Sequence, residues 1–231
     1  RLEAFQEVIG DRGITTAIGL MRESPARLLQ MELMTYEEMV YDMADYPEEL
    51  QELMDSLSGF LRTCMEVSAH SPAQLVTAGG HFDAMLTPPP FFRQYMMPYL
   101  KEYSALLHQE GKYMASHTDS DNQDLLPLYL ESGIDVADSV CTKPLTRQDF
   151  EDIRPITGNK LTLYGCIPSI APLKSTMSDL EFDRYLDQLF AKIQADGARN
   201  IILSIADTTP PDAELDRIRK VSRLSRQLRP Y

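Results

Sequence analysis

"KYMASHTDSDNQDLLPLYLESGIDVADSV", residues 112 to 140, holds the fold in miniature. Lys112 to His117 is an apolar, strand-like run that ends on polar residues. "DLLPLYLESG" has the spacing of a helix and stops at Gly133, and "IDVADSV" reads as a second strand. Two strands joined through a helix belong to a parallel pair, with the helix packed outside the sheet.

The same alternation extends in both directions. Residues 14–20 (ITTAIGL) and 73–80 (AQLVTAGG) read as earlier strands, and 160–165 (KLTLYG) and 200–206 (NIILSIA) as later ones. Helices are predicted between them. Ser24 before Pro25 has the form of an N-cap with proline at the first helical position. Thr35 with Glu38 and Ser178 with Glu181 have capping-box spacing. After Pro47, the residues Leu50, Leu53, Met54, Leu57, Leu61, Cys64 and Met65 recur at helical steps, and their methionines read as packing. A helix over 91–110 stops at Gly111, one after Ser178 stops at Gly197, and a last one runs over about 212–228. Six strands alternating with helices make an α/β protein: an open parallel sheet, or six of the eight strands of a TIM (β/α)8 barrel. No GxGxxG or Walker pattern follows any strand, which argues against a nucleotide fold.

Composition narrows the function. A chain of 231 residues with 43% hydrophobic content suits one large domain, and no apolar run reaches the roughly 18 residues that span a bilayer. A net charge of −13 argues against nucleic acid or an anionic membrane as a partner. Cys64, Cys141 and Cys166 lack CxxC spacing, so neither a disulfide framework nor a zinc ribbon is expected, and a cytoplasmic location is. The opening "RLEAFQEV" has neither an initiator methionine nor a signal pattern, so an excised fragment is expected. A homodimer is left open.

In parallel α/β proteins the reacting groups gather where the C-terminal ends of the strands meet. After the second strand come His81 and Asp83, and after the third come His117, Asp119 and Asp121. After the fifth come Tyr164 and Cys166, and after the sixth Asp207. His117 and Asp119, two apart, could face one side and share a divalent ion with Asp207 as third ligand. Asp and Asn also populate turns and helix caps, and Asp121 or Asn122, the former above all, reads as the cap of the helix that follows. Tyr164, His81 and Asp83 are the expected catalytic or substrate-contacting residues. Cys166 is a lesser candidate for the metal, and Cys141 is expected to be packed.

Residues 86–135, "LTPPPFFRQYMMPYLKEYSALLHQEGKYMASHTDSDNQDLLPLYLESGID", together with "KLTLYGCIPS" and "ILSIADTTPPDAELDRI", resemble the uroporphyrinogen decarboxylase superfamily, and in particular its cobalamin-dependent methyltransferase branch. The resemblance runs from about residue 35 to 228. It implies one TIM-barrel domain over residues 1–231, of which the chain supplies about strands 3 to 8 with the N-terminal part absent. In that branch an H-x-C pair and a further cysteine bind zinc; here His117, Asp119 and Asp207 match them, so both thiolates are replaced by carboxylates. Oxygen ligands make a harder metal site, better suited to a methoxy oxygen than to a thiol. The resemblance therefore implies a metal-assisted methyltransferase using zinc or another divalent ion. It would move a methyl group between a small methoxy-type substrate and cobalamin carried by a partner corrinoid protein. A porphyrinogen decarboxylase is the second reading, and a non-catalytic barrel that binds a small ligand is the third.

Overall fold

The computed structural model describes residues 1–119 and 121–229. Six strands form where the alternation places them: β1 (Thr16–Ile18), β2 (Leu75–Gly80), β3 (Tyr113–His117), β4 (Val136–Val140), β5 (Thr162–Ile167) and β6 (Ile201–Ile205). The chain packs as two units. The first comprises Arg1–Gly80, Met85–His117 and Leu128–Asp135; the second comprises His81–Ala84, Thr118–Pro127 and the chain from Val136 onward.

In the first unit β1, β2 and β3 pair in parallel, with Thr16 opposite Leu75 and Leu75 opposite Tyr113. Val76, Ala78, Met114 and Ala115 are buried. The long helix Pro47–Ala69 begins with proline at its first turn and buries Leu50, Met54, Leu61, Met65 and Ala69. Leu53, expected on that face, is 42% exposed, because the buried residues step by four and seven and leave position 53 at the edge of the stripe. The helix expected over 91–110 is built in three parts: Pro89–Phe91, a π turn over Phe92–Met96, and Met97–Gln109. The widened turn sits just ahead of Pro98, which has no N–H to give to the carbonyl of Gln94. Gly111 and Gly133 both take positive φ at the helix ends, as their positions suggest.

In the second unit β4, β5 and β6 pair in parallel, Val136 opposite Thr162 and Leu163 opposite Ile201. Helix Asp179–Ala195 is capped by Ser178 with Glu181 and buries Phe182, Leu186, Leu189, Phe190 and Ile193. Helix Leu215–Ser225 is tied to the start of that helix by Arg217. Its guanidinium donates to Asp179 at 2.6 Å, to the carbonyls of Leu173 and Met177, and lies 4.8 Å from the Phe182 ring centroid. Helix Phe150–Thr157 is not legible in the periodicity; it starts from a capping box of Asp149 with Asp152 and carries Pro155 inside.

β5 differs from its expected bounds in a way that matters. It runs to Ile167, so Tyr164 is its third residue, half-buried in mid-strand rather than at its end. No helix of the described residues is long and apolar enough to cross a membrane.

Candidate active site

The backbone at the strand ends carries the clearest signal. His81, Asp119, Ser139, Cys166 and Asp207 all have positive φ, at 56°, 50°, 63°, 69° and 58°. One of these residues lies within or just past the C-terminal end of each strand from β2 to β6. Non-glycine residues in this region cost about 1–3 kcal/mol each and concentrate at functional sites. Strand pairing is irregular at the same places: the register shifts between Thr77 and Gly80 and between Ala137 and Val140. Gly165, at φ +123°, is where β5 closes on β4. A Cβ there would stand 2.9 Å from the Val140 carbonyl oxygen, so the close approach requires glycine.

Within the second unit the loops after the strands enclose a cavity of about 330 Å³ lined by Asp83, Asp119, Asp121, Cys141, Leu145, Thr146 and Asp207. Four of its seven lining residues are carboxylates. The Asp119 carboxylate is mostly buried, and its Oδ2 lies 2.7 Å from His81 Nδ1. This pairing fixes the direction of the carboxylate and assigns the proton between them to the imidazole nitrogen whenever Asp119 is ionised. The Cys141 thiol, 2% exposed, is pushed up to about 12, by burial first and then by the negative charges of Asp119 and Asp207. It is a neutral thiol at pH 7.

Three of the residues singled out in the sequence, Asp83, Asp119 and Asp207, therefore line one cavity, and His81 bonds to one of them. His117 closes β3 in the first unit, half-buried and opposite Gly80. Tyr164 lies in mid-strand, as described above. Cys166 is fully buried with its thiol also pushed up to about 12 by burial, and at its carbonyl it accepts a hydrogen bond from the Thr142 hydroxyl. Cys141, expected to be merely packed, is buried but forms part of the cavity wall.

Asp121 corrects the sequence reading. It does not cap the next helix, which starts at Leu126; its carboxylate instead accepts from Arg147 N at 2.8 Å and Arg147 Nε at 2.9 Å. The segment Cys141–Gln148, which supplies Leu145 and Thr146 to the wall, carries no charged or His-rich pattern that could have marked it. Pro144, between Lys143 and Leu145, was the only available sign, and it indicates a turn rather than a site.

Parallel strands followed by helices, with acidic side chains converging at the strand ends, define an α/β protein of the kind that places its chemistry there. Over residues 12–228 the sequence matches the uroporphyrinogen decarboxylase (URO-D) family, and the chain belongs to that family. Its fold is similar to that of a methyltransferase from Methanosarcina mazei, with a TM-score of 0.70 at 13% sequence identity over 98% of this chain. The chain spans 62% of the length of that protein. No curated protein sequence matches the chain.

Proposed function

We propose that this chain is the greater part of a methyltransferase of the URO-D family, a single barrel domain in which it supplies about strands 3 to 8. The reaction proposed is transfer of a methyl group from a small methoxy-type substrate to cobalamin held by a partner corrinoid protein, in the cytoplasm. The observation that carries this reading is the cavity walled by Asp83, Asp119, Asp121 and Asp207, with Asp119 oriented by His81.

The donor set suits a hard divalent ion. Asp119 and Asp207 offer carboxylate oxygens to one cavity, and a hydrogen-bonded partner behind a ligating carboxylate is a usual outer-shell feature of metal sites. Asp119, Asp207 and, from the motif, His117 would hold zinc or a similar ion. Bound there, the ion would supply Lewis-acid polarisation of an ether oxygen. The remaining roles belong to the chain itself. His81 aims the Asp119 carboxylate. Asp83 would contact the substrate, and Tyr164 would donate a hydrogen bond to the oxygen that the methyl group leaves. The acidic wall also favours a neutral or cationic substrate over a polyanion, because each added carboxylate would be repelled in a confined, poorly screened space. That repulsion places the porphyrinogen decarboxylase second.

The test is metal analysis of the purified full-length protein beside Asp119→Ala and His117→Ala. One equivalent of divalent metal in the wild type and at least a tenfold loss of affinity in each variant are expected. Methyl transfer to cob(I)alamin from methoxylated substrates should follow metal content. Wild-type protein that takes up no metal from chelator-free buffer refutes the metal-assisted reading. Carbon dioxide released from a porphyrinogen supports the decarboxylase instead, and binding without turnover supports a ligand-binding barrel.

A further inference from the structure

Asn122 is fully buried one residue past Asp121, and its side chain is used at both ends. Nδ2 donates to the carbonyl of Asp119 at 2.9 Å, and Oδ1 accepts from Gln148 Nε2 at 3.1 Å. These two partners, a carbonyl and an amide N–H, decide which end of the Asn122 amide is nitrogen. Its own carbonyl meanwhile accepts from the backbone N–H groups of Leu125 and Leu126, which starts the turn into the following helix.

The surrounding bonds spread outward from this pair. Gln148, 2% exposed, also donates from Nε2 to the Cys141 carbonyl at 3.4 Å, where Thr146 Oγ1 donates at 3.1 Å. Next to Asn122, the Asp121 carbonyl accepts from Ala84 N at 3.3 Å, in the segment that carries His81 and Asp83. The Asp121 carboxylate is held by Arg147. The loops after β2, β3 and β4 thus meet at Asp121 and Asn122.

We infer that Asn122, braced by Gln148, is a positioning residue that holds Asp119 in its left-handed conformation and so aims its carboxylate into the cavity. The assignment of a metal to Asp119 rests on the function proposed above; the backbone role of Asn122 does not. An aspartate at φ 50° sits away from its preferred backbone, and the buried Asn122 amide N–H on its own carbonyl opposes relaxation. Without that donor, Asp119 returns to a negative φ and its carboxylate leaves both His81 and the cavity.

Two variants of the full chain test this. Asn122→Asp has the same shape and, once its carboxyl is ionised at alkaline pH, keeps an acceptor for Gln148 but loses the donor to Asp119. Gln148→Met adds no charge to the interior and removes the brace. In crystal structures of the variants, Asp119 should leave the positive-φ region and its bond to His81 Nδ1 should be lost. The affinity for Co²⁺, used alone as the probe, should fall at least tenfold, with altered visible bands for the ion that remains bound. Gln148→Met should act in the same direction more weakly, and it carries the test if Asn122→Asp does not fold. An Asp119 that keeps its left-handed backbone in both variants overturns the inference whatever the metal does. A variant with relaxed Asp119 but wild-type Co²⁺ affinity, alongside an Asp119→Ala protein that also binds Co²⁺ normally, upholds the positioning role and sinks the metal reading.

Discussion

Glu23 to Gln should stabilise this protein at neutral and alkaline pH and do little in acid. Glu23 lies in the first unit with no exposed surface. Its Oε1 accepts from the Ser24 hydroxyl at 3.2 Å, while Oε2 is buried with no hydrogen-bond partner among the described residues. Burial pushes its carboxyl up from 4.5 to about 7, against the opposing positive charge of Arg27, the next largest influence. The folded state therefore holds the proton more tightly than the unfolded chain. Between pH 4.5 and 7 the native protein binds more protons, so its stability falls as pH rises through this window and levels off above it. At about 1.4 kcal/mol per pK unit, the full effect is about 3 kcal/mol. Glutamine has the same shape and keeps a carbonyl oxygen for Ser24, without a charge to bury. Urea denaturation of both proteins at several pH values gives the stability difference directly. The variant's advantage should be near zero below pH 4.5, grow to about 3 kcal/mol by pH 7 and stay constant above that. A difference independent of pH, or one that grows toward acid, would refute the argument that burial outweighs the Arg27 charge at this site.

The remaining expectations concern packing and backbone. Leu61→Ala, at 1% exposure on helix Pro47–Ala69, should cost about 2–5 kcal/mol, whereas Leu53→Ala on the same helix should change stability by less than about 0.5 kcal/mol. Comparable losses at the two positions in urea melts would mean that the buried face is misplaced. Gly165→Ala should cost at least about 2 kcal/mol, because a side chain at φ +123° is strained and its Cβ would press on the Val140 carbonyl. A thermal midpoint equal to that of the wild type would show that β5 can draw back from β4 at no cost.

How much of this was legible in the sequence depends on which physical signal was at work. The strands and the three cap motifs, at Ser24, Thr35 and Ser178, are local: each rests on residues within a few positions of one another, and each forms, with β5 alone running on far enough to move Tyr164 to mid-strand. Helix Phe150–Thr157 was hidden because its proline lies inside the element, and only the Asp149 cap announces it. Leu53 was misplaced because a leucine at the margin of an apolar stripe looks the same in sequence as one at its centre. Asp83, Asp119 and Asp207 could be named from their places after strands. The roles of Asp121 and Asn122 could not, since Asp121 meets Arg147 26 positions away and Asn122 meets Gln148 at the same separation. The backbone strain at Ser139 and Cys166 was silent for a related reason: positive φ in a serine or cysteine leaves no trace in composition.

Strain and support are divided unequally between side chain and backbone at the strand ends. Five non-glycine residues hold positive φ there, and the surrounding fold must offset a cost of about 1–3 kcal/mol for each. Asp119 and Asp207 tolerate that region better than most residues, because a short polar side chain can bond locally. Carboxylates at these two positions are thus favoured by the backbone as well as by any ligand. Their charge in turn helps keep the Cys141 thiol protonated. The cavity therefore sets several carboxylate oxygens beside a thiol that burial keeps protonated, and oxygen is the ligand type a hard cation would take.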